Sequence, residues 1–259
     1  MILVKLGGSV ITDKGRYRTF DRETAARLAK EIAQSGEKVV LVHGAGSFGH
    51  VLAKEHKLHL GITESSQLMG AAEVMSDVRE LDLEMCRCLT AAGLAVVPLP
   101  PASCAEMSGG ELHMLDVDQF RKYLETGMVP MTFGDVVWDR RRGLSICSGD
   151  QLMMLLAKEL RPDKVIFVTD VDGVFTADPN IDPNATLVGT VDQKVLDSLP
   201  RTERNVDVTG SIYAKIAYMI GMADLTDECL VLNGKVPGRL EAAMRGDAAI
   251  ASKVIGGNR

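Results

Sequence analysis

The sequence predicts an α/β sandwich with a mostly parallel central sheet. Three observations predict it. Short continuous apolar runs, such as Val39-Val40-Leu41-Val42 and Val165-Ile166-Phe167-Val168, have the pattern of strands buried on both faces. Amphipathic helical stretches separate these runs, and the two earliest runs open into glycine-rich turns.

In chain order, Leu3 to Leu6 reads as a buried strand that ends in Gly7-Gly8. Asp21 then caps a helix with Ala25, Leu28, Ala29 and Ile32 on one face, and Gly36 stops it. Val39 to Val42 leads directly into Gly44-Ala45-Gly46-Ser47-Phe48-Gly49, in the order strand, loop, helix. A long helix is expected from about Glu64 to Ala92, followed by a strand at Ala95 to Val97, a helix capped at Asp116 and a strand from Met128 to Phe133. Val136 to Cys147 has apolar arms around an arginine-rich centre ending at Gly143, the pattern of a β-hairpin. Gln151 to Leu160 reads as a helix and Val165 to Val168 as a strand, with Asp178-Pro179 and Asp182-Pro183-Asn184 in a surface loop beyond it. Ser211 to Ala223 is a helix, Cys229 to Leu232 a strand, Pro237 to Arg245 a helix, and Ile250 to Ile255 an edge strand.

The 259 residues have an ordinary globular composition, 46% hydrophobic and 25% charged, and can bury a sizeable core. A formal net charge of -6 gives no basic footprint for nucleic acid or anionic lipid, which points to a small-molecule substrate. No apolar run approaches the length of a membrane span, and Met1-Ile2-Leu3-Val4-Lys5 reads as a strand rather than a signal sequence. A cytoplasmic protein is expected. Cys86, Cys88, Cys104, Cys147 and Cys229 contain no C-x-x-C pair, so buried reduced thiols are expected rather than disulfides or a zinc site.

Gly44, Gly46 and Gly49 satisfy G-x-G-x-x-G after a strand, which raises a dinucleotide-binding unit first. That unit needs a second strand ending in an acidic residue about 20 residues further on, and Lys57 to Glu64 has no strand-like run. A Walker A sequence is absent as well. What remains is a pair of glycine turns, Lys5-Leu6-Gly7-Gly8-Ser9 and His43-Gly44-Ala45-Gly46-Ser47, on two early strands. In a parallel sheet both open at the same carboxyl edge, where helix N-termini present free N–H groups to anions. Lys5 lies within an apolar strand and needs an anion at the strand end; Asp150, at a strand-to-helix junction, is a candidate internal partner. Lys215 falls in the first turns of a helix, where only a bound anion makes a cation favourable.

These residues resemble the amino acid kinase superfamily and, within it, the isopentenyl phosphate kinases of archaea. The resemblance spans essentially the whole chain. It rests on Lys5-Leu6-Gly7-Gly8-Ser9, His43-Gly44-Ala45-Gly46-Ser47-Phe48-Gly49-His50, Ser148-Gly149-Asp150-Gln151, Thr169-Asp170-Val171-Asp172-Gly173-Val174 and Asp207-Val208-Thr209-Gly210, in this order. It implies an open αβα sandwich, a homodimer, and a single kinase domain over residues 1–259, with an acceptor-binding lobe at about 1–147 and an ATP-binding lobe at about 148–259. His50 is the discriminating residue, because the amino-acid-phosphorylating members lack it and the kinases of isopentenyl phosphate and fosfomycin have it.

The roles implied by the resemblance are these. Lys5 and Lys215 hold the transferring phosphoryl and β-phosphate oxygens, and Asp150 orients both lysines. Lys14 stabilises the transition state. Gly7, Gly8, Ser9, Gly46, Asp170, Gly173 and Gly210 belong to the nucleotide side, while Ala45, Gly46, Gly49, His50 and Gly149 surround the acceptor phosphate. Mg2+ accompanies ATP and is held mainly by phosphates, with no protein ligand assigned. The apolar stripe Leu68, Met69, Ala72, Met75, Val78, Leu81 and Met85, with the strand from Val129 to Phe133, is the expected wall of a pocket for a short prenyl chain. The alternatives are a fosfomycin-type phosphonate kinase and a nucleotide-binding protein of the same fold without turnover.

Overall fold

The computed structural model describes residues 1–13, 15–199 and 212–257. Strands β1 (Ile2–Leu6), β2 (Val39–His43), β3 (Val96–Pro98), β6 (Val129–Phe133), β9 (Lys164–Thr169), β10 (Thr190–Val191), β11 (Glu228–Asn233) and β12 (Ala251–Val254) form an eight-stranded sheet. Its order is β10-β12-β11-β9-β1-β2-β6-β3. Every neighbouring pair is parallel except β11 with β12. β12 was expected at the edge, yet it lies inside, because Thr190 and Val191 add a further short strand against it.

Alternating side chains send the strands into two cores, as a sheet covered on both faces requires. Val4, Leu6, Leu41 and Ile166 pack against α2 (Arg22–Ser35), α4 (Gln67–Ala91) and α10 (Arg239–Arg245). Leu3, Val42, Val165 and Val231 pack against α6 (Val117–Glu125), α7 (Gly149–Leu160) and α9 (Ile212–Ala223). Asp21 caps α2 through Thr24 N–H at 3.0 Å, and Gly36 ends it at φ +70°. Asp116 occupies the cap position of α6, but its carboxylate is bound by Gln119 at 2.8 Å and accepts no backbone N–H of the helix.

A second sheet, of order β5-β4-β7-β8, joins β4 (Ala105–Ser108), β5 (Glu111–Leu115), β7 (Asp135–Asp139) and β8 (Gly143–Cys147). The β7–β8 hairpin follows the expected segment, whereas the β4–β5 hairpin carries no clear alternation and escapes a sequence reading. Between this sheet and α4 lies a third apolar cluster of Ala53, Ala71, Val74, Val78, Phe133 and Val136.

The expected stripe along α4 divides once the helix is seated. Leu81 and Met85 are buried in the core beneath the large sheet, Val78 and the partly buried Met75 join the third cluster, and Leu68, Met69 and Ala72 face solvent. At 100° per residue, positions 68, 69 and 72 sit on the flank opposite Val74 and Val78. The five cysteines are free thiols, four of them buried, and burial pushes Cys104 up to about 11 and Cys86 to about 12. Among the described residues, no helix is long and apolar enough to cross a membrane.

Candidate active site

Because β9, β1, β2 and β6 are neighbours and parallel, their carboxyl ends emerge side by side, at Thr169, Leu6, His43 and Phe133. Each is followed by a residue of the candidate site: Asp170, Gly7, Gly44 and Gly134. The first glycine turn starts α1 (Gly8–Ile11), and the second starts α3 (Gly46–Glu55).

The two turns touch through their backbones. A Cβ on Gly8 would lie 2.5 Å from the N and Cα of Gly46, and one on Gly44 would lie 2.7 Å from the N of Gly8. No other residue allows that approach, and Gly46 also takes φ +50°. Thr12 locks the junction: its Oγ1 donates to Gly8 O at 2.6 Å and accepts from Ser47 N–H at 3.1 Å.

Lys5 projects from β1 toward α7 and meets Asp150 at 2.5 Å, with Asp150 buried and the Lys5 side chain 15% exposed. The ammonium also lies 5.9 Å from the Phe167 ring centroid. Asp150 is placed by a capping box, in which Ser148 Oγ accepts from Gln151 N–H at 3.2 Å and the Gln151 amide oxygen accepts from Ser148 N–H at 3.2 Å. Gly149, the first residue of α7, lets the helix approach β1: a Cβ there would sit 3.2 Å from Lys5 Cε.

On the other side of Gly7, Asp170 accepts from Ser9 Oγ at 2.8 Å, which joins the first turn to the segment after β9. Asp172 is bound by Arg239 at 2.5 Å and by Asn233 at 3.1 Å, and these hydrogen bonds hold its carboxyl below the usual range. Gly173 has a packing reason, since a Cβ would lie 3.0 Å from Ser252 N. So does Gly49, where a Cβ would lie 2.6 Å from Ala45 Cβ and 3.2 Å from Val78 Cγ1. His50 is half-buried on the first turns of α3, and Lys215 is half-buried on α9, which packs against α7. Lys14 and the Asp207-Val208-Thr209-Gly210 motif lie outside the described residues.

Tyr17 and Arg18, ahead of α2, are tied to α4. Tyr17 donates to the buried Asp77 of α4, and burial together with this hydrogen bond pushes the phenol up to about 12. Arg18 pairs with the same Asp77 at 3.3 Å. A half-open cleft of about 470 Å³ lies here, lined by Ser9, Thr12, Asp13, Phe20, Asp170 and Lys235 among others. Lys235, paired with Asp21 at 2.7 Å, was missed by the sequence analysis, although Gly234-Lys235 follows a parallel strand as the other turns do. Gly134 was missed as well, and His43, although part of the second glycine motif, was given no role of its own; both sit at strand ends beside residues that were named.

Residues 1–233 match the model of the amino acid kinase family. This chain belongs to that family. Within it, the chain is 38% identical to the isopentenyl phosphate kinase of Methanothermobacter thermautotrophicus, over 99% of each chain. It is 33% identical to that of Thermoplasma acidophilum, over 93% of this chain and 94% of the relative. A solved isopentenyl phosphate kinase superposes with a TM-score of 0.87 at 35% identity, covering 98% of this chain and 99% of the other. The uridylate-type neighbour, UMP kinase from Ureaplasma parvum, superposes with a TM-score of 0.67 at 18% identity, which speaks for the amino acid kinase fold alone. As a member of this kinase family the protein uses ATP, and its open αβα sandwich is the amino acid kinase fold.

Proposed function

We propose that the protein transfers the γ-phosphoryl group of ATP to isopentenyl phosphate, giving isopentenyl diphosphate and ADP. The observation that carries this reading is the contact of two glycine turns beside the Lys5–Asp150 pair, with α3 and His50 leading directly away from the second turn. Full-length relatives bear the name of this activity, and one solved neighbour is a substrate complex of an isopentenyl phosphate kinase.

The chemistry suits a site built of backbone donors and lysines. A phosphate monoester has its second pKa near 6, so the attacking oxygen is ionised at neutral pH and needs no general base. That oxygen forms the new bond to phosphorus as the bond to ADP breaks. The protein's task is to align two anions and neutralise their charge. In this reading Lys5 and Lys215 hold the transferring phosphoryl and β-phosphate oxygens, Asp150 orients the lysines, and Gly8 and Gly46 donate from the backbone. Gly7, Ser9, Asp170, Gly173 and Gly210 shape the nucleotide side. His50 donates to the acceptor phosphate, Ala45, Gly49 and Gly149 let the backbone approach it, and Lys14 stabilises the transition state. Mg2+ bound with ATP would neutralise phosphate charge, held mainly by phosphate oxygens; Asp172 is already engaged by Arg239 and Asn233.

The partly buried Ile62, Met75, Leu144 and Ile146, packed on the third cluster, are the proposed wall for the short apolar tail. The reading also includes an acceptor lobe over about 1–147, an ATP lobe over about 148–259, a homodimer and a cytoplasmic location. An ADP-release assay with isopentenyl phosphate, fosfomycin, glutamate, carbamate and UMP tests it. Preference for the first compound is expected; turnover of fosfomycin instead, or of none, overturns it. His50→Ala is expected to lose on the order of 10²-fold in kcat/KM with the fold intact, and His50→Gln, which keeps a donor, less.

A further inference from the structure

His43 ends β2 and is fully buried, immediately before the turn that carries Ala45. Its ring stacks on Phe133, with centroids 5.1 Å apart and planes at 17°. Nδ1 lies 3.1 Å from the carbonyl oxygen of Gly44, and Nε2 lies 3.3 Å from Oδ1 of Asp82, itself buried on α4. A carbonyl oxygen only accepts, so the imidazole binds Gly44 through an N–H at Nδ1.

The peptide between Gly44 and Ala45 is trans, so its C=O and N–H point in opposite directions. Holding the Gly44 oxygen to the imidazole therefore turns the Ala45 N–H away from it. Gly134 leaves a small space beside that N–H. A Cβ on Gly134 would lie 3.7 Å from Ala45 N and 3.7 Å from Gly149 N, with the Cys147 carbonyl oxygen 3.6 Å away on a third side. Among the described residues, neither N–H has a protein acceptor. Two unsatisfied backbone donors thus border one opening, next to the Lys5–Asp150 pair.

We infer that His43, held by Asp82, is a positioning residue that aims the Ala45 N–H at the acceptor phosphate; this rests on the acceptor site proposed above. His43 touches no substrate in this arrangement. It acts by fixing a peptide plane, and Gly134 keeps the approach open.

Two near-isosteric variants separate this role from simple packing. The amide nitrogen of asparagine takes the place of Nδ1 and keeps the bond to Gly44, whereas that of glutamine takes the place of Nε2 and keeps only the bond to Asp82. His43→Gln is expected to raise KM for isopentenyl phosphate about tenfold with KM for ATP little changed, while His43→Asn stays near wild type. A packing role predicts the reverse order, because glutamine fills more of the buried site and still ties β2 to α4. Should His43→Gln not fold, Asp82→Asn gives the second reading, with a smaller rise confined to the acceptor KM. Titration of the Ala45 amide resonance with inorganic phosphate is independent of the substrate's identity. It should respond in wild type and His43→Asn and respond more weakly in His43→Gln. Failure of the wild type to phosphorylate isopentenyl phosphate would sink the substrate assignment alone. An Ala45 amide indifferent to phosphate, or equal responses in the two His43 variants, would overturn the positioning role.

Discussion

Asp139, at a turn of the four-stranded sheet, and Asp150, at the carboxyl edge of the large sheet, are both buried and are held in opposite ways. Asp139 accepts from the N–H groups of Gly109, Gly110, Arg141 and Arg142 at 2.7–2.9 Å and from Ser145 Oγ at 2.7 Å. Burial alone would raise its carboxyl, but these donors outweigh burial and hold it well below the usual range. Among the described residues, the Asp150 carboxylate has one hydrogen-bonding partner, Lys5. A carboxylate saturated by fixed backbone donors can only organise the chain around it. One that faces a single lysine at the rim of an open edge leaves that lysine with donors to spare, and the ammonium can serve a phosphate while staying paired.

Asp150→Asn should break the comparison most sharply. It keeps the shape and the capping box but removes the charge that steadies Lys5, so kcat should fall on the order of 10²-fold while thermal stability changes little. A fall in melting temperature that matches the loss of activity would place Asp150 with Asp139 as a structural group. Asp139→Asn should do the opposite. Its amide group would confront N–H donors, costing about 2 kcal/mol in a urea unfolding measurement, with kcat per folded molecule unchanged.

The same site sets an acid limb. The folded carboxyl of Asp139 sits below its ordinary value of 3.8, so its contribution is complete above that value and is lost as pH falls toward the folded pKa. Urea midpoints of the wild type should therefore drop steeply below about pH 4, and those of Asp139→Asn should drop less. An unchanged acid limb in the variant would assign the acid sensitivity elsewhere. The smallest effect is expected for Ser148→Ala, which removes one half of the capping box and should cost about 1 kcal/mol of stability. Because that cap also sets the start of α7, a modest loss of kcat alongside it would sharpen the link between helix capping and the placement of Asp150.

Some of this was legible before the chain was folded. The parallel strands announced themselves because burial on both faces leaves continuous apolar runs, and Asp21 and Gly36 marked α2 because capping is local chemistry. The β4–β5 hairpin was not legible: β5 is mostly exposed and owes its place to Asp139, whose donors come from two separate turns. The α4 stripe misled because apolar residues at Leu68 and Met69 satisfied a pattern without lying on the buried face. His43 stood in the second glycine motif without a role of its own, because a histidine ending an apolar strand has no local signature of its role; its partners are Phe133 and Asp82, far along the chain.

By itself, then, the sequence determined most strands and helices of the large sheet, that glycine turns close the early strands, and that Lys5, Asp150 and Asp170 stand at or beside strand ends. Those follow from near-neighbour sterics and from the period of burial. Only the tertiary structure decided that the two glycine turns press against each other, that Lys5 takes Asp150, and that the peptide after Gly44 is held from behind by His43. Such facts depend on strand order and register, which place residues more than a hundred positions apart within hydrogen-bonding distance, as they do Lys5 and Asp150.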